Sequence, residues 1–556
     1  MNRKIKFFII IILIYFFSDS NSEDLIPLIE PEHASKFTSE KKKYAEGNEI
    51  IVVTANDYAT KIGYEILDKG GSVVDAAVAI QLTLGLVEPQ SSGLGGGLFL
   101  TYFDSESNKV LTYDGRESAP INIKKDIFLN KNGKPKKFFE AAIGGASVGV
   151  PSSLKTLQKI HNEYGKLEWE KTINPVIELS KNGFLPPDRL INALKKERFF
   201  FKENPDSLFK NILLNPKKKV FNHEYTKTLN VISKNFGDFY EGKIAENIVE
   251  IVKKSQNSGM LSLDDLKNYK PEKKKAFCHR LKNNFLVCGP NLPSSGTICI
   301  LQTLILFEDL NQKKKKINLN QIMEILDFVY YLRDIHLADE KFAKIDIKKL
   351  LSIKFLIEEF ELFKKNKHVV NFKNFDEVFS STSHFSLVDK YNNVMSLTSS
   401  IESSFGSRLF IDGFFLNNQL TDFSFKIYDK KGNPIKNSVE GGKRPLSSMS
   451  PLIIFDENDK FFLTIGSPGG KAIISYVSRV LIDFFYFDLD LKTSLNSPNF
   501  LRIKGKSFVE NEEQNKKIEN NGLVRSLTSG LAVIKKEKGN YIGIADKRRD
   551  GTVRGK

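Results

Sequence analysis

The chain has 556 residues, 41% hydrophobic and 27% charged, an ordinary globular balance with ample apolar material for a large core. Three cysteines are too few for a disulfide framework. The net charge of +16 sits in scattered runs (Lys41–Lys43, Lys217–Lys219, Lys273–Lys275, Lys313–Lys316) beside loop-like Asn and Pro, with no nucleic-acid motif, so it reads as solvated surface and not as a nucleic-acid site.

Residues 1–20 have the layout of a signal peptide: a basic start (Arg3, Lys4, Lys6), the apolar run Phe7–Phe17, and the small-x-small site Ser18-Asp19-Ser20. The run is shorter than the about 20 residues of a membrane span. The protein is predicted to be exported, periplasmic or secreted, with no stable membrane insertion once the segment is removed; an uncleaved N-terminal anchor is the alternative.

Residues 21–48 read as a polar lead-in, and Ile50–Thr54 as a buried strand. Asn56 caps a helix that ends at Gly70-Gly71, and Ser72-x-x-Asp75 resembles a capping box for an Ala-rich helix to about Leu84. The glycine cluster in Glu88–Asp104 precedes a strand and no GK[ST] follows, which favours close backbone packing over a phosphate cradle. Leu98–Phe103 and Lys109–Tyr113 form a hairpin that leads to Arg116. Residues 152–270 are mostly helical, broken by Pro175, Pro186-Pro187, Pro205 and Pro216, with Ser262 capping a short helix. Another helix opens after Val287–Gly296, and Ile322–Asp339 is amphipathic. Residues 340–379 read as helix and linker. Cys278, Cys288 and Cys299 are expected to be buried small apolar residues, a Cys278–Cys288 disulfide being the alternative.

Thr382 opens a second hairpin. His384, Ser386 and Val388 alternate with Phe385 and Leu387, Lys390–Asn393 supplies the turn, and Val394–Ser400 returns. Leu452–Phe455 and Phe462–Ile465 make a third hairpin, followed by GSPGGKAIIS, a strand–glycine–helix passage that points free N–H groups at one spot. No internal repeat is present.

The segments TSHFSLVDK, TSSIESSFGS, LNNQLTDFS, KRPLSSMSP and GSPGGKAIIS resemble the small-subunit core of the gamma-glutamyltransferase (gamma-glutamyltranspeptidase) family of N-terminal-nucleophile hydrolases. KGGSVVDAAVA, EPQSSGLGGGLFLTYFD, DGRESAP and the C-terminal SGLAVI and ADKRRDG fit as well. The resemblance implies an α+β fold, a four-layer αββα sandwich, as one compact unit made of two chains after self-cleavage between Ser381 and Thr382. These are a large subunit, 21–381, and a small subunit, 382–556. It implies that Thr382 is the nucleophile, with its freed α-amine as base; an α-amine titrates near about 8, close to working pH.

By the same resemblance Ser400 orients the nucleophile, and Gly469 and Gly470 form the oxyanion hole. Arg116 grips the α-carboxylate of the glutamyl group, which suits a bidentate guanidinium. Glu402 helps hold the substrate amino group, Gln419 and Asp422 bind the α-amine and glutamyl carboxylate end, and Ser447 and Ser448 donate to the carboxylate. Glutathione or another γ-glutamyl compound is the implied small-molecule substrate, with no metal or organic cofactor. Two departures stand out: the SSIESSFGSR wording with Arg408, and the long segment between Asp422 and Ser447, a candidate lid with Tyr428 as its candidate gating aromatic. A cephalosporin or glutaryl acylase-like amidase, or a non-catalytic exported binding protein, are the competing readings.

Overall fold

The computed structural model describes residues 42–556 except 206, 315–316, 366–380 and 520; the signal-peptide reading of residues 1–20 and the linker around 366–375 lie outside the described residues. Two seven-stranded antiparallel sheets face each other. The first runs Thr552–Gly555, Ile51–Thr54, Ser381–Val388, Val394–Glu402, Gly97–Asp104, Lys109–Gly115, Glu272–Lys275. The second runs Tyr44–Gly47, Asn540–Ala545, Ala532–Glu537, Phe461–Gly466, Leu452–Phe455, Leu286–Gly289, Phe277–Arg280.

Side-chain alternation builds the layers. Phe385, Leu387, Met395 and Leu397 point outward from the first sheet and join a core with the helices Asp57–Asp68 and Val73–Val87. Every residue of Val73–Val87 is buried, which its Ala-rich sequence permits through close approach. Ser72 and Asp75 make the expected capping box, and Gly70 takes the left-handed conformation (φ 91°) that ends the preceding helix. Leu452, Ile454, Leu463 and Ile465 of the second sheet pack against Gly296–Lys314, Leu319–His336 and Ile473–Tyr486. The result is the four-layer αββα sandwich.

The space between the sheets changes character along its length. At one end Val53, Val388, Val394, Ile453 and Ile534 form an apolar filling. Toward Thr382 it is polar. His384 Nδ1 lies 2.9 Å from Thr398 Oγ1, and burial pulls the imidazole down to about 3, so the ring is neutral. The ring occupies the space above Gly466, where a Cβ would stand 2.3 Å from His384 Cε1.

Three expectations change. The polar lead-in contains an edge strand, Tyr44–Gly47, paired with Asn540–Ala545, a partner too distant in sequence for a local pattern to reveal. The amphipathic helix runs Leu319–His336, shifted toward the Asn318 cap. Cys278 and Cys288 are joined in a disulfide rather than free, because the antiparallel pairing of Phe277–Arg280 with Leu286–Gly289 sets them directly opposite, Cα atoms 4.1 Å apart. Cys299 is a buried free thiol. No helix among the described residues is long and apolar enough to cross a membrane.

The disulfide closes a short loop, so replacing Cys278 with Ala is expected to lower stability by about 2–3 kcal/mol. Thiol titration in denaturant should find one reactive sulfhydryl before reduction; three would refute the pairing.

Candidate active site

At its turn end the hairpin of Ser381–Val388 and Val394–Glu402 is regular, with Val388 opposite Val394. At the other end the register slips between Ser381 and Thr382. Thr382 faces Ser400, Ser381 faces Glu402, and Ile401 is left without an opposite residue. Glu402 takes a left-handed backbone (φ 79°), uncommon for a residue with a side chain.

The slip converges three hydrogen bonds on Ser400 Oγ. It accepts from Thr382 Oγ1 at 3.2 Å and from Glu402 N at 2.9 Å, and it donates to Ser381 O at 2.9 Å. A serine hydroxyl has one proton, so this set fixes its direction: toward the carbonyl of the Ser381–Thr382 bond, with the Thr382 hydroxyl behind it. The chain is continuous here, and Ser381 Oγ donates to Ser91 Oγ at 3.1 Å.

Arg116 follows Lys109–Gly115 and is buried. Its Nη2 donates to Asp422 Oδ2 at 2.5 Å and to Leu446 O at 3.2 Å, and its Nε to Pro445 O at 3.0 Å. Gln419 Nε2 donates to the same Asp422 oxygen at 2.8 Å, both residues lying on the short 3-10 turn Gln419–Asp422. The Asp422 side chain is 32% exposed against 1% for Arg116, so the pair opens to solvent on the carboxylate side. Glu402 accepts from Asn418 Nδ2 at 2.5 Å; burial first, and the charge of Asp422 next, push it up to about 8.

Leu446 leads into Ser447, whose backbone bonds to Pro293 O and Ser295 N. Ser447 Oγ accepts from Met449 N, and Ser448 Oγ is buried with no hydrogen-bond partner among the described residues. Gly469 (φ 131°) and Gly470 (φ 55°) both lie in the left-handed region, and a Cβ on Gly469 would stand 2.7 Å from Tyr476 Cε2. Glycine is required at this turn. Pro468 packs at Gly530, which packs in turn on Arg549, and Arg549 Nη1 donates to Thr382 O at 3.2 Å.

Thr382, Ser381, Ser400 and Glu402 thus form one cluster, and Arg116, Gln419 and Asp422 a second, joined through Asn418, which caps the Gln419–Asp422 turn and donates to Glu402. Arg408 is a buried brace, bonded to Ser403 Oγ and Gly406 O and paired with Glu197 at 3.3 Å. Tyr428 is 58% exposed on a segment that Asn437 ties at both ends, to Asp422 O and Leu446 N.

Sequence reasoning passed over Glu117, Glu88, Asn418 and Arg549. Glu117 adjoins Arg116 in DGRESAP, and Arg549 lies in ADKRRDG, but neither segment shows which carboxylate or guanidinium turns inward. Neither Glu117 oxygen has a hydrogen-bond partner among the described residues, and Glu117 Oε2 is 2.4 Å from where a Cβ on Gly97 would sit.

Two facing antiparallel sheets between helical layers are the αββα sandwich of the N-terminal-nucleophile hydrolase type. The family model for Gamma-glutamyltranspeptidase matches residues 59–555, and the chain belongs to that family of enzymes. It is similar to the glutathione hydrolase proenzyme of Bacillus subtilis (strain 168), 30% identical over 95% of this chain and 94% of that one. The glutathione hydrolase proenzyme of Escherichia coli (strain K12) is 30% identical over 81% and 80% respectively. The crystal structure of cephalosporin acylase from Bacillus halodurans shares the fold, with a TM-score of 0.77 at 19% identity, covering 95% of this chain and 99% of that one.

Burial, partly offset by Arg116, raises the Glu117 carboxyl from 4.5 to about 8. The folded chain therefore keeps a proton that the unfolded chain loses, and the stability this contributes is full below pH 4.5 and lost as pH rises through about 8. Glu117→Gln should flatten the decline in melting temperature between these limits, a difference on the order of a few kcal/mol at pH 9. Parallel melting curves for the two proteins would contradict this.

Proposed function

We propose that this is a self-processing gamma-glutamyltransferase and glutathione hydrolase, exported and active as a large chain (21–381) and a small chain (382–556). The Arg116–Asp422 pair carries the reading. It sets a cation and an anion side by side, complementary to the α-carboxylate and α-ammonium of a γ-glutamyl group.

In the precursor, Thr382 Oγ1 attacks the Ser381 carbonyl carbon while the Ser400 hydroxyl stabilises the developing oxyanion. The Thr382 hydroxyl proton passes to the Thr382 nitrogen as the C–N bond breaks, leaving an ester to Thr382 Oγ1 and a free α-amine on Thr382. Water then hydrolyses the ester to a Ser381 carboxylate and the free hydroxyl.

In the processed enzyme the α-amine takes the hydroxyl proton as Thr382 Oγ1 attacks the γ-amide carbon, and it returns the proton to the leaving amine. The N–H groups of Gly469 and Gly470 hold the oxyanion. The γ-glutamyl ester passes to water or to the amine of an amino acid.

Arg116 takes the substrate carboxylate together with Ser447 and Ser448, whose hydroxyl has no hydrogen-bond partner among the described residues. Asp422, fixed by Gln419, takes the ammonium with Glu402. Substrate thus replaces an internal ion pair with two external ones, so desolvated charge stays matched. Glutaryl compounds lack the ammonium and leave Asp422 unmatched, which favours this activity over an acylase.

Thr382→Ala should remain one uncut chain, while the native protein yields a small chain beginning at Thr382, read by intact mass and N-terminal sequencing. An uncut native chain would end the enzymatic reading. Asp422→Asn should raise KM for a γ-glutamyl anilide by about 10- to 100-fold with a smaller change in kcat, the cost of one desolvated charge partner. Glutaryl anilide turned over as well as γ-glutamyl anilide would favour the acylase.

A further inference from the structure

The processed nucleophile has an unusual mechanical problem. Its base is its own α-amine, so no separate residue fixes the base in place. The orientation of the Thr382 main chain sets the direction of hydroxyl and amine together. Cleavage also removes the peptide bond on the N-terminal side, which leaves the Thr382 carbonyl as the nearest main-chain anchor.

That carbonyl is held by Arg549. The Arg549 side chain is buried, donating from Nη1 to Thr382 O at 3.2 Å and from Nε to Thr528 O at 3.0 Å. Its stem fills the space at Gly530, where a Cβ would stand 2.7 Å from both Arg549 Cδ and Pro468 Cγ. Pro468, the residue before Gly469, borders the same glycine.

The next strand residue is anchored from the other direction. Ser383 Oγ donates to Glu88 Oε2 at 3.4 Å, and Glu88 Oε1 accepts from Arg189 Nη1 at 2.9 Å. Glu88 is fully buried, so its contact with Ser383 is closed off from water.

We propose that Arg549 and Glu88 are positioning residues that clamp the strand at the nucleophile from two directions, Arg549 through the Thr382 carbonyl and Glu88 through the Ser383 hydroxyl. The clamp crosses between the processed chains, because Glu88 and Arg189 lie before the cut and Thr382, Ser383 and Arg549 after it. This rests on Thr382 being the nucleophile. Neither residue touches substrate: the pair acts through the threonine that does.

The test uses Arg549→Met, Arg549→Lys, Glu88→Gln and the Glu88→Gln/Arg549→Met double variant, with the processed fraction of each assayed on a γ-glutamyl anilide. In Arg549→Met, kcat is expected to fall about 10- to 100-fold with KM within about twofold, as for a sub-ångström misplacement of a reacting group. Arg549→Lys should recover part of that loss. The double variant should be no slower than Arg549→Met, since the two residues act as a unit.

An unchanged kcat in Arg549→Met, a rise in KM alone, or losses that multiply in the double variant would each overturn the proposal. If Arg549→Met does not accumulate as folded protein, the near-isosteric Glu88→Gln decides. A several-fold lower kcat at constant KM supports the clamp, and wild-type kcat refutes it. N-terminal sequencing of every small chain keeps the two readings apart: a start other than Thr382 would defeat the nucleophile assignment itself, whereas a correct start with unchanged kcat would defeat only the clamp.

Discussion

The Ser400 hydroxyl has a single proton and three neighbours, and this constraint orders the centre of the molecule. Because Glu402 N and Thr382 Oγ1 both donate to it, its proton can only go to Ser381 O. The arrangement exists because the two strands slip by one residue at Ser381. The slip requires Glu402 to hold a left-handed backbone that costs on the order of 1–3 kcal/mol when isolated. Central placement of the hairpin in a seven-stranded sheet covered by helices keeps that conformation in place. The outer layers therefore serve a local purpose: they stop one strained end of one hairpin from relaxing.

Around this centre, burial keeps carboxyl groups close to neutrality. Glu88, Glu117 and Glu402 are each raised to about 8. Desolvation is the largest cause for all three, and the guanidinium groups of Arg549, Arg116 and Arg408 pull the other way. The site is thus an array of arginines with carboxyls held near the point of ionisation, and Asp422 is its exposed member. A zwitterionic ligand meets groups whose charges are already set against one another.

Much of this could be read from residue order. The strand after Thr382, the capping box at Ser72, the glycine turn at Gly469–Gly470 and the sandwich itself followed from period, caps and resemblance, all of which are local or carried by short motifs. What escaped depends on partners far apart in the chain. Tyr44–Gly47 looks polar because it is an edge strand, and its partner lies at Asn540–Ala545. Cys278 and Cys288 looked like ordinary buried thiols until two short strands set them opposite each other. Glu117 and Arg549 sat in quoted motifs, yet which side chain turns inward leaves no trace in spacing, so their contribution emerged only from three-dimensional contact.

The strand order of the first sheet has a consequence for folding. Thr552–Gly555 and Ser381–Val388 flank Ile51–Thr54, and Val394–Glu402 pairs with Gly97–Asp104, so segments from both sides of the proposed cut alternate within one ladder. The precursor assembles this ladder as a first-order event, since every partner is tethered on one chain. Once the Ser381–Thr382 bond is gone, the same ladder must form between separate molecules, and its rate depends on their concentration. With the proposed cut made, the enzyme is built from instructions that its own activation erases: a processed molecule that unfolds at cellular dilution would lack the tether that first brought its strands into order.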